Sequence, residues 1–258
     1  DALTSSDGNV AVGYQAGTAL TTGSVLAIGH RAGDGVTTGG GGIHIGYDAG
    51  RTYDTENHNI GIGNYSLGSA IAGAENNIAI GYQTLDALTS GDNNTAIGYQ
   101  AGTDLTTGGN VTLVGYGAGA NITTGSDSVF IGKDAGLAVT TTSGNTAVGY
   151  RAAEDLTGAK NTMLGYKAGL NATTGADNVI VGYEANGTGV LTAANNVMVG
   201  KESGKNLTSG AENVAVGKGS LFSATTATQC VAIGQNAGYA VTTGGAVNLV
   251  AIGHGAYN

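Results

Sequence analysis

The chain has 258 residues, a net charge of −9 and only nine basic residues. It cannot present a broad phosphate-tracking surface, and we expect no nucleic-acid partner. It contains 49 Gly and no Pro or Trp, and 10% of its residues are charged, which is not the composition of an ordinary globular domain. Hydrophobic residues make up 41% and stand at regular positions, which disfavours disorder. No long apolar run is present, so we expect no membrane insertion.

One glycine recurs at the end of a short aliphatic run, and we call it the anchor glycine. Successive anchors are separated by 17 residues nine times, 16 twice, 18 twice and 19 once. The anchors are Gly13, Gly29, Gly46, Gly63, Gly81, Gly98, Gly115, Gly132, Gly149, Gly165, Gly182, Gly200, Gly217, Gly234 and Gly253. A period this constant predicts a single repeat domain over residues 1–258, without a linker.

The run before each anchor has the composition of a β-strand. The residue just before the anchor is Val, Ile or Leu in every repeat, and the residue three before it is aliphatic or Thr. Because side chains alternate along a strand, these two columns share one face, which we expect to be the interior. A small residue follows three after the anchor, and a second apolar column, such as Leu105, lies seven after it.

Each repeat therefore reads as strand, Gly turn, small corner residue, second strand and Gly turn. This pattern predicts an all-β fold, a parallel β-solenoid (β-roll) of about 15 coils with a 17-residue period. The absence of Pro agrees with it, because Pro would remove a hydrogen bond between stacked coils.

The residue two before the anchor should then face outward, yet it is small or apolar. We predict that this column is an oligomer interface, since a bare, apolar stripe lets another chain approach closely. The alternative is a solvent-facing alanine stripe. The predicted interface residues are Ala11, Ala27, Ala79, Ala96, Leu113, Phe130, Ala147, Met163, Ile180, Met198, Ala215, Ala232 and Ala251.

Tyrosine follows the anchor in eight repeats, and these residues are candidates for surface binding: Tyr14, Tyr47, Tyr82, Tyr99, Tyr116, Tyr150, Tyr166 and Tyr183. Tyr suits a contact surface, and it suits a stack along one corner equally well. Lys replaces it at three repeats, which indicates that the column reaches water.

Two polar columns also recur. Asn stands four before the anchor at Asn9, Asn59, Asn77, Asn94, Asn145, Asn161, Asn178, Asn196 and Asn213, where stacked amides are expected to bond from coil to coil. Thr stands eight after the anchor at Thr21, Thr37, Thr89, Thr106, Thr123, Thr140, Thr157, Thr173, Thr208, Thr225 and Thr242. We interpret this file as a turn ladder, and an ordered array that binds ice is its alternative.

Nothing in the sequence assembles a catalytic, cofactor or metal site. The four histidines fall in different repeats, and Cys230 is single, so it is predicted to be a small buried residue. Asp48, Asp54 and Glu56 gather loosely around the least regular repeat, where a glycosidase pair of carboxylates is the alternative. We therefore expect a protein that is not an enzyme and that needs no cofactor or metal.

The consensus NxAxGYxAGxxLTTG resembles the Gly-rich head repeats of trimeric autotransporter adhesins, and it is still more similar to the GYQAG/TTG repeats of phage tail fibres. The match covers residues 9–258 and is best in NNTAIGYQAGTDLTTG (93–108) and NTMLGYKAGLNATTG (161–175). The resemblance implies a homotrimer of β-rolls that acts outside the cell, on a cell surface or a virion, as a shaft or receptor-binding segment.

The function that we expect is an extracellular structural and adhesive fibre segment. Its partners would be other copies of itself, as a homotrimer or filament, and a cell-surface glycan or protein receptor. Repetition would give such a segment avidity from weak single contacts. The alternatives are an ice-binding β-solenoid that uses the Thr file and a self-assembling surface filament subunit.

Overall fold

The computed structural model describes residues 8–52, 55–69, 71–241 and 248–257. The chain divides into two compact units, Asp1–Ser128 and Val129–Asn258. Both units have the same construction. Each repeat contributes one short strand, which pairs in parallel with the strand of the neighbouring repeat.

Seven strands belong to the first unit: β1 (Val10–Val12), β2 (Val25–Ile28), β3 (Gly42–Ile45), β4 (Ile60–Ile62), β5 (Ile78–Ile80), β6 (Thr95–Ile97) and β7 (Thr112–Val114). Eight belong to the second: β8 (Val129–Ile131), β9 (Thr146–Val148), β10 (Thr162–Leu164), β11 (Val179–Val181), β12 (Val197–Val199), β13 (Val214–Val216), β14 (Val231–Ile233) and β15 (Val250–Ile252). The prediction of an all-β parallel solenoid with a period of about 17 residues is confirmed.

The strands stack in strict register, position by position. Thr95 pairs with Thr112 and Ile97 with Val114 in the first unit, and Val197 pairs with Val214 in the second, in each case at the same position relative to the anchor. Backbone bonds also join the coils at their turns, as where Thr106 N donates to Thr123 O over 2.9 Å. A coil is therefore bonded to its neighbour at several points around its circumference.

The prediction of a second strand in each repeat is wrong. In the described repeats, the segment after the anchor is a series of turns. Gln100 has φ of 53° and Gly102 has φ of 61°, so left-handed residues two and four after the anchor bend the chain twice. A segment with this alternation cannot extend into a strand.

The anchor glycine is required by both its conformation and its surroundings. Gly98 has φ of 141°, a region that is essentially reserved for glycine. A Cβ built on Gly98 would lie 2.3 Å from the carbonyl oxygen of Gly115, the anchor of the next coil. The anchors therefore form a file of bare backbone, and a side chain there would push two coils apart.

The residues two before the anchor were predicted to point outward, and this prediction is wrong. From Ala27 to Ala251 these side chains are buried in the single chain, and Phe130, Met163 and Ile180 are fully enclosed. We call this set the inward column. It cannot be an oligomer interface, because its side chains fill the coil interior; Ala11 alone, in the first described coil, is exposed. The remaining predicted members lie inside the coils too: Ala79, Ala96, Leu113, Ala147, Met198, Ala215 and Ala232.

In many coils the interior is filled by a large residue that faces a small one. Opposite the inward column stands the residue four after the anchor. Phe130 faces Gly136, where an added Cβ would lie 2.7 Å from the phenyl ring. In another coil the sizes are reversed, and Gly61 is combined with the fully buried Leu67. Where both positions are small, a neighbouring coil supplies the volume. The same alternation of large with small applies to His44 with Gly50, Ala79 with Leu85, Leu113 with Gly119, Met163 with Gly169, Met198 with Gly204 and Ala215 with Leu221.

This compensation can be tested at Met198 and Gly204. A Cβ on Gly204 would lie 2.3 Å from the Met198 sulfur, so we expect Gly204→Leu to lower the unfolding free energy by about 1–3 kcal/mol from overpacking. Met198→Ala alone should cost about 2–5 kcal/mol, since it opens a cavity. The double variant should recover part of the loss, because it recreates the Ala79/Leu85 combination. Urea unfolding of the four proteins measures the coupling, and strictly additive losses would contradict size compensation.

The Asn column closes each coil and bonds it to the next, as predicted. The Asn94 side-chain oxygen accepts from Val111 N of the following coil over 3.0 Å, and its Nδ2 donates to Gly108 O of its own coil over 3.0 Å. Asn161 makes equivalent bonds with Asn178 N and Gly175 O. These amides are buried, so they satisfy backbone groups that water does not reach.

The adjacent residues Asn93 and Asn94 provide a matched pair. Asn94→Ala leaves Val111 N and Gly108 O without their side-chain partner, so we expect a loss of about 1–3 kcal/mol in unfolding free energy. Asn93 is exposed and left-handed, with φ of 58°, so the control is Asn93→Asp. This change gives the residue that other coils have at this position, as Asp127 and Asp177, and should change the unfolding free energy by less than about 0.5 kcal/mol. Chemical denaturation of both variants is the measurement, and equal losses would show that the buried amide has no special role.

Candidate functional surface

The outer face of the sheet is apolar. It consists of the residues one and three before each anchor, from Val10 and Val12 to Val250 and Ile252, and we call these the face columns. All of their side chains are half-buried or exposed, and Ile97 is 39% and Leu164 46% exposed. These columns were predicted to line the interior, and the structure reverses that assignment.

The sequence contains a signal that shows which face is inside. The inward column varies from Gly to Phe, and wherever it has Phe, Met or His the residue four after the anchor is Gly. The face columns keep Val, Ile, Leu or Thr whatever their neighbours. Side chains that share a closed space must compensate for one another. The face columns show no such dependence, as expected for side chains with room beside them.

The tyrosines after the anchors form a stack along one edge of the sheet face. Tyr82, Tyr99 and Tyr116 lie with ring centroids 5.3 and 5.0 Å apart and nearly parallel, and Tyr150, Tyr166 and Tyr183 repeat the arrangement at 5.3 and 5.1 Å. The corner stack is therefore confirmed. All eight predicted tyrosines are exposed, Tyr14 and Tyr47 among them.

Stacking decides which part of each ring a partner can reach. Neighbouring rings cover both faces of a ring inside the stack, such as Tyr99 or Tyr166, so only the ring edge and the hydroxyl remain accessible. At one end, Lys201 Nζ lies 5.3 Å from the centroid of Tyr183 and covers that face as a cation. The stack therefore offers hydroxyl groups in a row, and its inner rings do not offer flat platforms.

The Thr column is bonded to the coils themselves. Thr89 Oγ1 donates to Thr106 O over 2.9 Å, Thr106 Oγ1 donates to Thr123 O over 3.0 Å, and Thr208 Oγ1 donates to Thr225 O over 2.9 Å. These hydroxyl hydrogens are therefore engaged between coils, which agrees with the ladder interpretation. Thr242 lies outside the described residues.

The acidic residues near 47–58 are engaged in structural contacts. Asp48 is buried, with Oδ2 3.4 Å from Arg51 Nη1 and Oδ1 3.8 Å from His30 Nδ1. The two Glu56 oxygens accept from Gly73 N over 2.7 Å and from Thr55 N over 3.0 Å. Asp54 lies outside the described residues. These contacts give the carboxylates a structural role in holding an irregular coil.

Cys230 is buried, as predicted, and takes the place of an Asn in the Asn column. Its backbone N donates to Asn213 Oδ1 over 3.0 Å. In the part of the chain that the structure describes, no three His, Cys, Asp or Glu side chains are grouped so that they could hold a metal ion. The same residues include no helix long and apolar enough to cross a bilayer.

Burial perturbs one histidine strongly. His44 is in the inward column with 2% of its surface exposed, and desolvation lowers its pKa from 6.5 to about 4. It faces Gly50, where a Cβ would lie 2.1 Å from His44 Nδ1. This imidazole is therefore neutral in the folded chain at pH 7 and fills space in the core.

These features define a parallel β-solenoid repeat protein with an apolar sheet face and a tyrosine edge. Comparisons with protein-family models, with curated proteins and with solved structures find no match for this chain.

His44 gives the fold a pH dependence of known sign. Its pKa is lower in the folded than in the unfolded chain, so the unfolded chain gains the proton first, and stability falls as the pH drops from about 6.5 to about 4. A pKa difference of about 2.5 corresponds to a limit of about 3 kcal/mol. His44→Leu should flatten this part of the curve, because the Leu113/Gly119 coil accommodates the same pair. Unfolding free energies of both proteins between pH 7 and pH 4 are the measurement, and superimposable pH profiles would contradict the assignment.

Proposed function

We propose that this protein is a structural and adhesive fibre segment whose chains associate side by side through the sheet face into a homotrimer. The observation that carries the proposal is the exposure of the face columns, in which Val, Ile and Leu stand at every coil next to water. Contiguous apolar surface of this kind on a soluble protein marks a site of association.

The face of each unit supplies part of the area that a stable interface needs. Strands about 4.8 Å apart and about 10 Å long give roughly 350 Å² of apolar face on each unit. Each unit by itself therefore offers a little under half of the roughly 800 Å² per partner that a standard interface buries. The register of the strands also allows the same contact to recur from coil to coil within a unit.

The two edges of the face are complementary. Tyr99 and Tyr183 follow the strands of their coils, Asn93 and Asp177 precede the same strands, and all four side chains are exposed. Copies related by an axis along the stacking direction would meet head to tail, so that a phenol donates to an amide or carboxylate. Head-to-tail contacts close into rings, and three copies are the number that the repeat resemblance suggests.

Such an assembly would act outside the cell, on a cell surface or a virion, as a rigid carrier of weak sites for a glycan or protein receptor. Filament formation by stacked coils is a variant of the same proposal. The ice-binding alternative gains no support from the Thr column, because its hydroxyls donate to the next coil. A thermal hysteresis measurement on the purified chain decides that alternative directly.

The association can be tested with charges on the face. Ile97→Glu combined with Leu164→Glu places one carboxylate on the face of each unit, and burying it unpaired would cost several kcal/mol. We expect the unaltered chain to sediment with three times the 25.1 kDa mass of one chain. The double variant should sediment with the mass of one chain.

The control is Thr107→Glu combined with Thr174→Glu, at exposed positions in the same two repeats but away from the face. It should keep the mass of the unaltered assembly. An unaltered chain that sediments as a monomer at micromolar concentration would overturn the proposal, and so would dissociation of the control.

A further inference from the structure

A cavity of about 310 Å³ opens on the second unit and is lined by Glu202, Lys218, Gly219, Phe222, Asn236 and Tyr239. It spans three successive coils. The volume lies at the lower end of the roughly 300–1,000 Å³ usual for small-molecule sites. A single ring-sized ligand fits such a space, whereas a long chain would have to extend beyond it.

The cavity exists because one side chain is missing from a regular ridge. The residue two after the anchor has a long side chain in the three coils just before this one, as Lys167, Glu184 and Glu202, and is Gly219 here. Gly219 has φ of 65°, and a Cβ on it would lie 2.7 Å from Asn236 Oδ1. The floor of the cavity is therefore bare backbone next to a side-chain amide.

Aromatic side chains form one wall. Phe222 and Tyr239 stack with centroids 4.9 Å apart and an interplanar angle of 11°, and Lys205 Nζ lies 5.6 Å from the Phe222 centroid. Because Tyr239 and Lys205 cover the two faces of Phe222, its edge is the part left to a ligand. Aromatic edges carry partial positive charge and attract oxygen atoms.

The charges around the cavity favour an acidic ligand, although the whole chain has a net charge of −9. Lys205 donates to Glu202 over 2.7 Å and to Glu184 over 3.1 Å. The bond from Lys205 is the main cause of a lowered pKa at Glu202, to which the charges of Lys201 and Lys218 also contribute. Glu202 is therefore ionised, and Lys205 is shared between Glu202 and Glu184. Lys201 and Lys218 are the further cations that act on Glu202, so the surroundings of the cavity carry one more positive than negative charge.

Lys218 lines the cavity and has no ion-pair partner among the described residues. It is exposed at the rim, and among the described residues no carboxylate lies within 4.0 Å of its ammonium group. Asn236 likewise makes no side-chain hydrogen bond with any residue that the structure describes. A cation, an amide and a carboxylate thus converge on a concave surface with an aromatic wall.

We propose that this cavity binds one carboxylated monosaccharide residue, a uronic or sialic acid, of a glycan. Lys218 pairs with the sugar carboxylate, and Asn236 and Glu202 form hydrogen bonds with ring hydroxyls. The apolar C–H face of the sugar lies over Gly219 beside Phe222. The site deepens the proposed adhesive function, on which it rests for its biological setting, and it gives each chain a receptor contact that assembly would multiply.

Saturation-transfer NMR on the full chain tests the site with four probes: sodium glucuronate, N-acetylneuraminate, glucose and acetate. We expect transfer to at least one acidic sugar with a Kd on the order of 1 mM. Glucose lacks the charge and acetate lacks the ring, so both should bind about tenfold more weakly, a difference of about 1.4 kcal/mol.

Two variants and one control locate the binding. Lys218→Gln removes the cation, and Gly219→Asn fills the floor with a residue that tolerates the left-handed conformation; each should weaken binding about tenfold or more. Lys133→Gln changes the same position in another coil of the unit and should leave binding unchanged. Circular dichroism of each variant shows that the fold is retained.

Three results would overturn the site: no transfer to either acidic sugar at about 10 mM, equal transfer to acetate, or an equal loss with Lys133→Gln. Sedimentation of the same samples separates this outcome from the proposed assembly. A trimer that does not bind sugar would refute the site alone, and a monomer that binds sugar would refute the assembly alone.

Discussion

The structure depends on how closely the backbones of successive coils approach at the anchor glycine. A Cβ there would lie 2.3 Å from the carbonyl of the next anchor at Gly98, so the spacing of the coils is set by a file of residues without side chains. Strand pairing, the Asn bonds and the Tyr stack all require that spacing, because each joins equivalent positions of neighbouring coils. One constraint on one residue type thus places every other column.

Much of the fold could be predicted from the sequence because it recurs. The period, the strand before each anchor and the bonding role of the buried Asn all follow from columns that repeat with little variation. The inside and outside of the coil could not be assigned by alternation alone, since alternation defines two faces without saying which is enclosed. The large side chains of the face columns pointed to the wrong choice. The combination of Phe130 with Gly136 indicates the correct interior face, since only residues that share a space adjust their sizes to each other.

The cavity in the second unit could not be predicted from the sequence, for a different reason. It results from a glycine at Gly219 together with aromatic residues three positions later and in the next coil, and none of these is unusual alone. Their meeting depends on the two left-handed bends after the anchor, which the sequence pattern had represented as a second strand. Once that segment is known to turn twice, the residues two and five after the anchor become neighbours, as the ion pair between Arg151 and Glu154 also shows.

The pairing of a large with a small side chain inside a coil affects how such a chain can gain or lose coils. Some coils carry both the bulky and the small member of their interior pair, such as Met198 with Gly204, and bring their own filling with them. Others, such as the coil of Ala96 and Gly102, have two small members and are filled by Leu85 and Leu113 of the neighbouring coils. Duplication of a coil that contains its own pair would therefore preserve internal packing, whereas deletion of a coil that fills its neighbour would leave a cavity, and a break inside a coil would separate the pair. The smallest piece that such a chain can gain without a packing defect is therefore one coil in some places and a pair of neighbouring coils in others.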